Sequence, residues 1–398
     1  MITRVRCVSR RDCLMASNIR GESIFTGDEE LFRQTVRSFM DREIDAKIDM
    51  YESGDLPIRH LWEVGTKAGV IGSRVPQEHG GIGGTEILNF IMSWELGRSL
   101  GYGTVGTCFC TDNATNLLAL GGTDELKAEL FPRILTGAIQ ALGFTEPDAG
   151  TNSAAIRTTA RRDGEDWVLR GNKMYISMGD QADVIYVVAR TDPNRAMSRA
   201  GLSIFAVDGD AEGLSRGRVD MVGLPVHGLG ELAFDDVRVP AYRMLGAEGE
   251  GARLLSSMMA IDRVQTAARS LGQAELALDL AIDYSKERLV EGNRPLFDFQ
   301  NTKIRLAEMA VQLRAARALI KQNIDAARGD ALDRTAAAAG KVFITDVSAR
   351  VVDGAVQIFG AAGLADEMPI SRIYASNRQF RILAGTSELL KLSVAAKL

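Results

Sequence analysis

Phe144-Thr145-Glu146-Pro147-Asp148-Ala149-Gly150-Thr151-Asn152 marks the point at which the chain changes character. Upstream the pattern is helical. Thr26 and Glu29 have the spacing of a capping box, and Phe32, Val36, Phe39 and Met40 recur at helical intervals. Further helical stretches surround Leu61 to Ala68, Leu88 to Leu100 and Asn113 to Leu120, with a glycine-rich break from His79 to Gly84. Downstream, Trp167-Val168-Leu169, Val184-Ile185-Tyr186-Val187-Val188 and Leu202-Ser203-Ile204-Phe205-Ala206-Val207 are rich in β-branched and aromatic residues, with turn signals at Asp163-Gly164 and Arg170-Gly171-Asn172. Beyond Gly251 the pattern is helical again, in three long Ala/Leu-rich stretches and a shorter fourth. Such helices with short breaks form an antiparallel bundle. The expected fold is mainly α with a central β-domain: an extension over 1–24, a helical domain over 25–140, a β-domain over 141–250 and a helical bundle over 251–398.

Composition bounds the function. The 398 residues carry 47 basic and 52 acidic side chains, a formal net charge of −5. The longest basic run, Arg4, Arg6, Arg10 and Arg11, is far too short for a nucleic-acid footprint. No apolar run approaches the roughly 20 residues of a membrane span. Cys7, Cys13, Cys108 and Cys110 lack zinc-ligand spacing and read as reduced thiols of a cytoplasmic protein. His60, His79 and His227 show no metal-binding pattern, so no metal is expected. The N-terminal Ser9-Arg10-Arg11-Asp12 lacks the apolar run of an export signal, and residues 1–24 read as a disordered tail or as a start placed upstream of Met15. Walker, GxGxxG, GxSxG and HExxH signatures are all absent.

Five motifs in order carry a resemblance: the Phe144 to Asn152 run; Gly171-Asn172-Lys173-Met174-Tyr175-Ile176-Ser177; Phe234-Asp235-Asp236-Val237-Arg238-Val239-Pro240; Gln357-Ile358-Phe359-Gly360; and Gly385-Thr386-Ser387-Glu388. Together they resemble the acyl-CoA dehydrogenase family of FAD enzymes, from about Phe25 to Leu398. The resemblance implies a middle β-barrel and a four-helix C-terminal bundle. It also implies that the backbone at Phe144 and Thr145 meets the flavin pyrimidine edge, that the Ser177 hydroxyl reaches N5, and that Tyr175, followed by Ile176, shields the ring. The family more often has Trp and Thr where Tyr175 and Ser177 stand. A reduced flavin needs such donors because negative charge develops on the ring. Thr386 and Glu388 would complete the flavin site, with Thr151, Asn152, Arg263 and Gly385 beside the thioester. Arg288, Gln300, Gln357 and Gly360 would hold the adenine and diphosphate of a neighbouring subunit's cofactor, which implies a homo-oligomer, a dimer or a tetramer. The family's Arg-x-x-Phe-Gly run reads Arg288-Leu289-Val290-Glu291-Gly292-Asn293 here, with one extra residue, so its aromatic adenine contact is missing or displaced.

The implied reaction is α,β-desaturation of an acyl thioester, in which a carboxylate removes the α proton opposite the flavin. Much of the family places a Glu immediately before Gly-Thr; this chain has Ala384. Isovaleryl- and long-chain-type relatives take the carboxylate from the first bundle helix, just before an Arg, and the matching dipeptide is Asp262-Arg263. Helical spacing puts Asp262 on the stripe of Leu255, Met258 and Met259, where burial raises its pKa and Arg263 opposes the rise. The alternative is a simple ion pair with a neighbouring Arg. Asp is one methylene shorter than Glu, a reach deficit of about 1.5 Å. The Ala384 N–H still serves the thioester oxygen, because a backbone donor survives loss of the side chain. Asp112 reads mainly as a helix cap or polar surface residue.

By resemblance the substrate is an acyl-CoA or acyl-carrier-protein thioester, with branched short chains favoured by the relocated base. The electron acceptor is then an electron-transfer flavoprotein. The same motifs leave open a flavin oxidase or monooxygenase, which needs no α-proton base, and a non-catalytic flavin-binding homologue.

Overall fold

The computed structural model describes residues 23–106, 112–195 and 197–398. The expectations for the N-terminal extension and for Cys7, Cys13, Cys108 and Cys110 fall almost wholly outside those residues.

The upstream helices are α1 (Asp28–Phe39), α2 (Ile48–Ser53), α3 (Arg59–Lys67), α4 (Glu86–Gly97), α5 (Tyr102–Val105), α6 (Ala114–Gly121) and α7 (Asp124–Leu135). The Glu29 carboxylate accepts from the Thr26 N–H at 3.3 Å, but Gly27 is the cap of α1 and makes no side-chain cap bond, so only half of the expected capping box forms. The sequence pattern passes over α7. Its start is capped by Thr123, whose hydroxyl accepts from the Leu126 N–H at 3.1 Å, and it tolerates Pro132 in its interior.

The central sheet has eight strands: β1 (Gln140–Gly143), β2 (Thr159–Asp163), β3 (Asp166–Ile176), β4 (Val184–Arg190), β5 (Leu202–Asp208), β6 (Leu214–Met221), β7 (Leu224–Pro240) and β8 (Met244–Leu245). Neighbours run β6-β7-β3-β2-β4-β5-β8, and β1 joins β4 in parallel. Asp163-Gly164 does turn the β2–β3 hairpin, with Gly164 at φ 65°. Arg170-Gly171-Asn172 is not a turn. It lies inside β3 where the register against β7 shifts, and Gly171 at φ 148° lets the backbone crowd Thr158. A glycine signals close approach as readily as a turn.

The bundle comprises α8 (Gly251–Glu287), α9 (Gln300–Arg328), α10 (Arg334–Phe359), α11 (Pro369–Asn377) and α12 (Ser387–Ala395). Helix α8 joins the two helical regions. A Cβ at Gly97 of α4 would overlap the Arg269 carbonyl of α8, and one at Gly272 of α8 would overlap the Trp94 carbonyl of α4. Beside this crossing the buried Glu275 accepts from Trp94 Nε1 at 3.1 Å, Arg98 at 2.8 Å and Arg317 at 3.0 Å. A buried carboxylate with this many donors is satisfied rather than strained. Among the described residues, no helix is long and apolar enough to cross a membrane.

Candidate active site

A buried ion pair joins the two segments expected at the flavin edge. Lys173, fully buried in β3, donates to the Phe144 carbonyl at 3.1 Å and to Glu146 at 2.8 Å. Glu146 also accepts from the Arg157 N–H at 2.7 Å and the Thr158 N–H at 2.9 Å, and the Met174 N–H donates to the Thr145 carbonyl at 2.9 Å. Burial pushes the Lys173 ammonium down to about 8, opposed by Glu146. The pairing with Lys173, against the cost of burial, holds the Glu146 carboxyl below its ordinary value. Phe144 and Thr145 are thereby fixed beside Tyr175, Ile176 and Ser177. Tyr175 has a left-handed φ of 60° and leaves its ring half exposed, while Ser177 is half-buried. A strained, uncovered aromatic next to a hydroxyl suits one face of a planar ring.

Thr151 and Asn152 are exposed on the arm that leaves this segment. The Asn152 side chain accepts from the Ala154 N–H at 3.2 Å. Arg190, buried at the end of β4, gathers the arm by donating to the carbonyls of Ala154 (2.9 Å), Ile156 (3.2 Å), Arg195 (2.6 Å) and Ser198 (3.0 Å).

Asp262 lies on α8 and is half-buried. Its surroundings are more polar than the apolar stripe predicts. Asn113, at the start of α6, donates Nδ2 to its carboxylate at 3.0 Å. Burial still holds the Asp262 carboxyl above the ordinary carboxylate range, against the charges of Arg269, Arg263 and Lys341 and the Asn113 bond. Arg263 does not pair with it; its guanidinium donates to the Arg334 carbonyl at 3.4 Å. Ala384 and Gly385 are half-buried, and Ala384 has a left-handed φ of 56°. Lys341, fully buried in α10, donates Nζ to the Gly385 carbonyl at 2.9 Å. Burial pushes its ammonium down to about 8, countered first by Asp262. One cation therefore bonds the 384–385 loop and acts through its charge on the Asp262 carboxylate. Thr386 caps α12 by accepting from the Leu389 N–H at 3.3 Å, and Glu388 is exposed in its first turn.

The expected adenine and diphosphate residues meet at one end of the bundle. Tyr284 stacks on Phe359 at 4.1 Å, bringing the end of α8 against the end of α10. Arg288, Gln300, Gln357 and Gly360 are all exposed there. The extra residue is absorbed by a hairpin of β9 (Leu289–Val290) and β10 (Arg294–Pro295), whose tip uses left-handed Gly292 and Asn293. The aromatics are displaced downstream: Phe297 lies between Lys286 and Lys303 at 5.8 and 5.4 Å, and Phe299 lies 4.6 Å from Arg294.

Sequence reasoning missed Asn113, Lys341 and Arg190, and quoted Lys173 without a role. Asp112 is also not a surface residue. It is fully buried and accepts from the Gly72 N–H and the Thr115 hydroxyl, both at 3.1 Å. Among the described residues no cluster of His, Cys, Asp or Glu could hold a metal ion.

Family models agree with this arrangement along the chain. The acyl-CoA dehydrogenase N-terminal domain matches residues 26–138, the middle domain 141–237 and the C-terminal domain 249–398. The chain belongs to the acyl-CoA dehydrogenase family; it is an oxidoreductase acting on CH–CH bonds with FAD as its cofactor. The mitochondrial long-chain specific acyl-CoA dehydrogenase of Sus scrofa is 30% identical over 94% of this chain and 87% of its own length. A caffeyl-CoA reductase-Etf complex subunit of Acetobacterium woodii is 30% identical, over 94% of this chain and 99% of the subunit. The structure of a Mycobacterium smegmatis glutaryl-CoA dehydrogenase in complex with FADH2 superposes with a TM-score of 0.84 at 27% identity, covering 94% and 95% of the two chains.

The donor set fits FAD. Phe144, Thr145, Tyr175, Ile176 and Ser177 offer backbone groups, an aromatic wall and a hydroxyl around one open face, and the exposed Arg288, Gln300, Gln357 and Gly360 offer a cation, two amides and an uncrowded backbone.

Proposed function

We propose that the protein dehydrogenates an acyl thioester between its α and β carbons, with Asp262 as the base that removes the α proton. Bound FAD supplies the acceptor for the β hydrogen. The observation that carries this reading is the Asp262 carboxyl itself, half-buried, held above its ordinary pKa, and served by the same Lys341 that clamps the Ala384–Gly385 loop. A carboxylate whose proton affinity is raised toward neutrality is the better base. The Ala384 N–H polarises the thioester oxygen, which acidifies the α carbon. Arg263 and the Thr151–Asn152 arm flank the thioester. The Asn113 bond fixes the orientation of the Asp262 carboxylate.

The thioester is carried by CoA or by a carrier protein, and electrons leave to an electron-transfer flavoprotein. The name of the Acetobacterium woodii relative supports that acceptor. The working unit is a homo-oligomer, a reading supported by the exposure of Arg288, Gln300, Gln357 and Gly360 and of bundle apolars such as Val311, Leu364 and Leu392.

Anaerobic mixing with a panel of acyl thioesters tests the proposal. The matching thioester bleaches the flavin, and Asp262→Asn abolishes bleaching while retaining FAD. Unchanged bleaching in that variant removes Asp262 from the mechanism.

A further inference from the structure

Arginines from three separate segments gather around the first half of α8. Arg263 follows Asp262 on that helix and is half-buried. Arg334 opens α10 and Arg199 lies in the loop between β4 and β5; both are exposed. The Arg263 guanidinium donates Nη1 to the Arg334 carbonyl at 3.4 Å, and the Arg334 guanidinium reaches the Ser256 hydroxyl, two turns before Arg263 on α8. The Arg199 loop is packed against the start of the same helix. A Cβ at Gly249 would stand 3.0 Å from the Ala200 carbonyl, and one at Gly251 would stand 2.7 Å from the Leu202 carbonyl. Burial holds the Arg263 guanidinium below its ordinary pKa; Asp262 opposes this, and the like charges of Arg334 and Arg199 add to it.

Negative charge is missing from this gathering. Among the described residues, none of the three guanidiniums has a carboxylate at ion-pair distance, and Arg263 Nε has no hydrogen-bond partner. The acid nearest in sequence to each is committed elsewhere. Asp192 pairs with Arg195 at 3.1 Å, Asp262 accepts from Asn113, and Asp333 accepts from the Thr335 and Ala336 N–H groups, both at 2.8 Å. Arg190 ties the cluster to the thioester arm. Its bonds join the carbonyls of Ala154 and Ile156, just beyond Thr151 and Asn152, to those of Arg195 and Ser198, just before Arg199. The Ser198 hydroxyl then accepts from the Ala200 N–H at 3.2 Å and sets the turn that presents Arg199. Arg199 and Arg334 thus flank one stretch of α8, from the sheet side and from the bundle side.

Like charges held together without an acid repel one another, and an anion between them replaces that cost with charge-assisted hydrogen bonds. The planar guanidinium fork suits phosphate oxygens in particular. Two of the three heads are open to solvent, so an anion reaches them without any opening of the core. We infer that Arg199, Arg263 and Arg334 form a phosphate-binding site for the carrier of the thioester, holding the substrate by its unreactive end. This rests on the dehydrogenation proposed above and names the residues that recognise its substrate's carrier. Three guanidiniums match the several phosphate charges of CoA better than the single charge of a carrier protein's phosphodiester, so CoA is the occupant.

Calorimetry on the FAD-loaded enzyme tests the site, with CoA, dephospho-CoA, 4′-phosphopantetheine, pantetheine and a phosphopantetheinyl carrier protein as probes. The wild type is expected to bind CoA at least about tenfold more tightly than pantetheine, and added salt to weaken CoA alone of these two. Arg199→Gln and Arg334→Gln, each checked by thermal melting and FAD retention, are expected to weaken CoA about tenfold and to leave pantetheine unchanged. Arg334→Lys should recover part of the loss. An affinity drop from CoA to dephospho-CoA assigns the cluster to the 3′-phosphate and a drop at a later step assigns it to the diphosphate; either upholds the inference. Absence of CoA binding, CoA binding unchanged in both glutamine variants, equal weakening of CoA and pantetheine, or a carrier protein bound more tightly than CoA overturns it. Flavin bleaching reads the dehydrogenation separately. Phosphate-dependent binding in an enzyme that no thioester bleaches upholds the site and overturns that reading, whereas bleaching with phosphate-independent binding does the reverse.

Discussion

Lys341 Nζ sits 2.9 Å from the carbonyl oxygen of Gly385, and the carboxylate of Asp262 is the main charge countering its burial. In the proposed mechanism the ammonium thus couples the residue that would take the proton to the loop whose N–H would face the thioester. Its pKa of about 8 makes that coupling pH-dependent. Burial lowers the Lys341 pKa, so the charge is present below about pH 8 and is lost above it. The rate of flavin reduction should fall on an alkaline limb near pH 8. Lys341→Met should be slower by 10- to 100-fold and should lack that limb while keeping its FAD. Stopped-flow reduction across pH measures both effects.

Asn113 stabilises the charged form of Asp262 by donating to it. Asn113→Leu removes that donor, and the Asp262 pKa should climb further. The acid limb of the same pH profile should move toward neutrality, with a higher maximal rate on the alkaline side of the limb. An acid limb that does not move in Asn113→Leu would separate Asp262 from proton abstraction.

Two buried groups should write opposite slopes into the stability curve. Burial raises the Asp112 carboxyl to about 6, so the fold holds a proton that the unfolded chain has released, and stability is lost as pH rises from about 4 to 6. Burial lowers the His227 imidazole to about 4, so its contribution is present above about 6.5 and is lost as pH falls toward 4. Each is worth about 3 kcal/mol at the full shift. Urea unfolding from pH 4 to 7 should therefore show, relative to wild type, a steeper rise with pH in Asp112→Asn and a fall with pH in His227→Leu.

Lys173→Met strands Glu146 in the interior without its cation. Loss of one partner from a buried ion pair costs roughly 3–5 kcal/mol. Unfolding should show that loss, accompanied by weaker FAD retention because the Phe144 carbonyl is released. Lys173→Met/Glu146→Gln should recover part of the stability, since no unpaired charge then remains. Denaturant titration with flavin fluorescence reads both quantities.

The order of helical, sheet and helical regions was legible because hydrophobic period and turn chemistry are local properties. Gly171 misled because local chemistry does not say whether a glycine turns the chain or admits Thr158. Helix α7 was passed over because Pro132 argues against a helix until Thr123 is seen capping it. Asp262 could be found from the loss of Glu at position 384 and the Asp-Arg dipeptide, both written in the chain. Asn113 and Lys341 could not: their roles exist only when α6 and α10 come together around α8. A lone lysine in Ala336-Ala337-Ala338-Ala339-Gly340-Lys341 was the available signal, and its full burial is what gives it meaning.

The crossing of α4 and α8 at Gly97 and Gly272 leaves no layer of side chains between two backbones. Helix α8 therefore cannot come any nearer to α4, and main chain sets the depth at which it carries Asp262 on that side. Exchange of individual residues along the stripe changes the space around Asp262 without disturbing that depth.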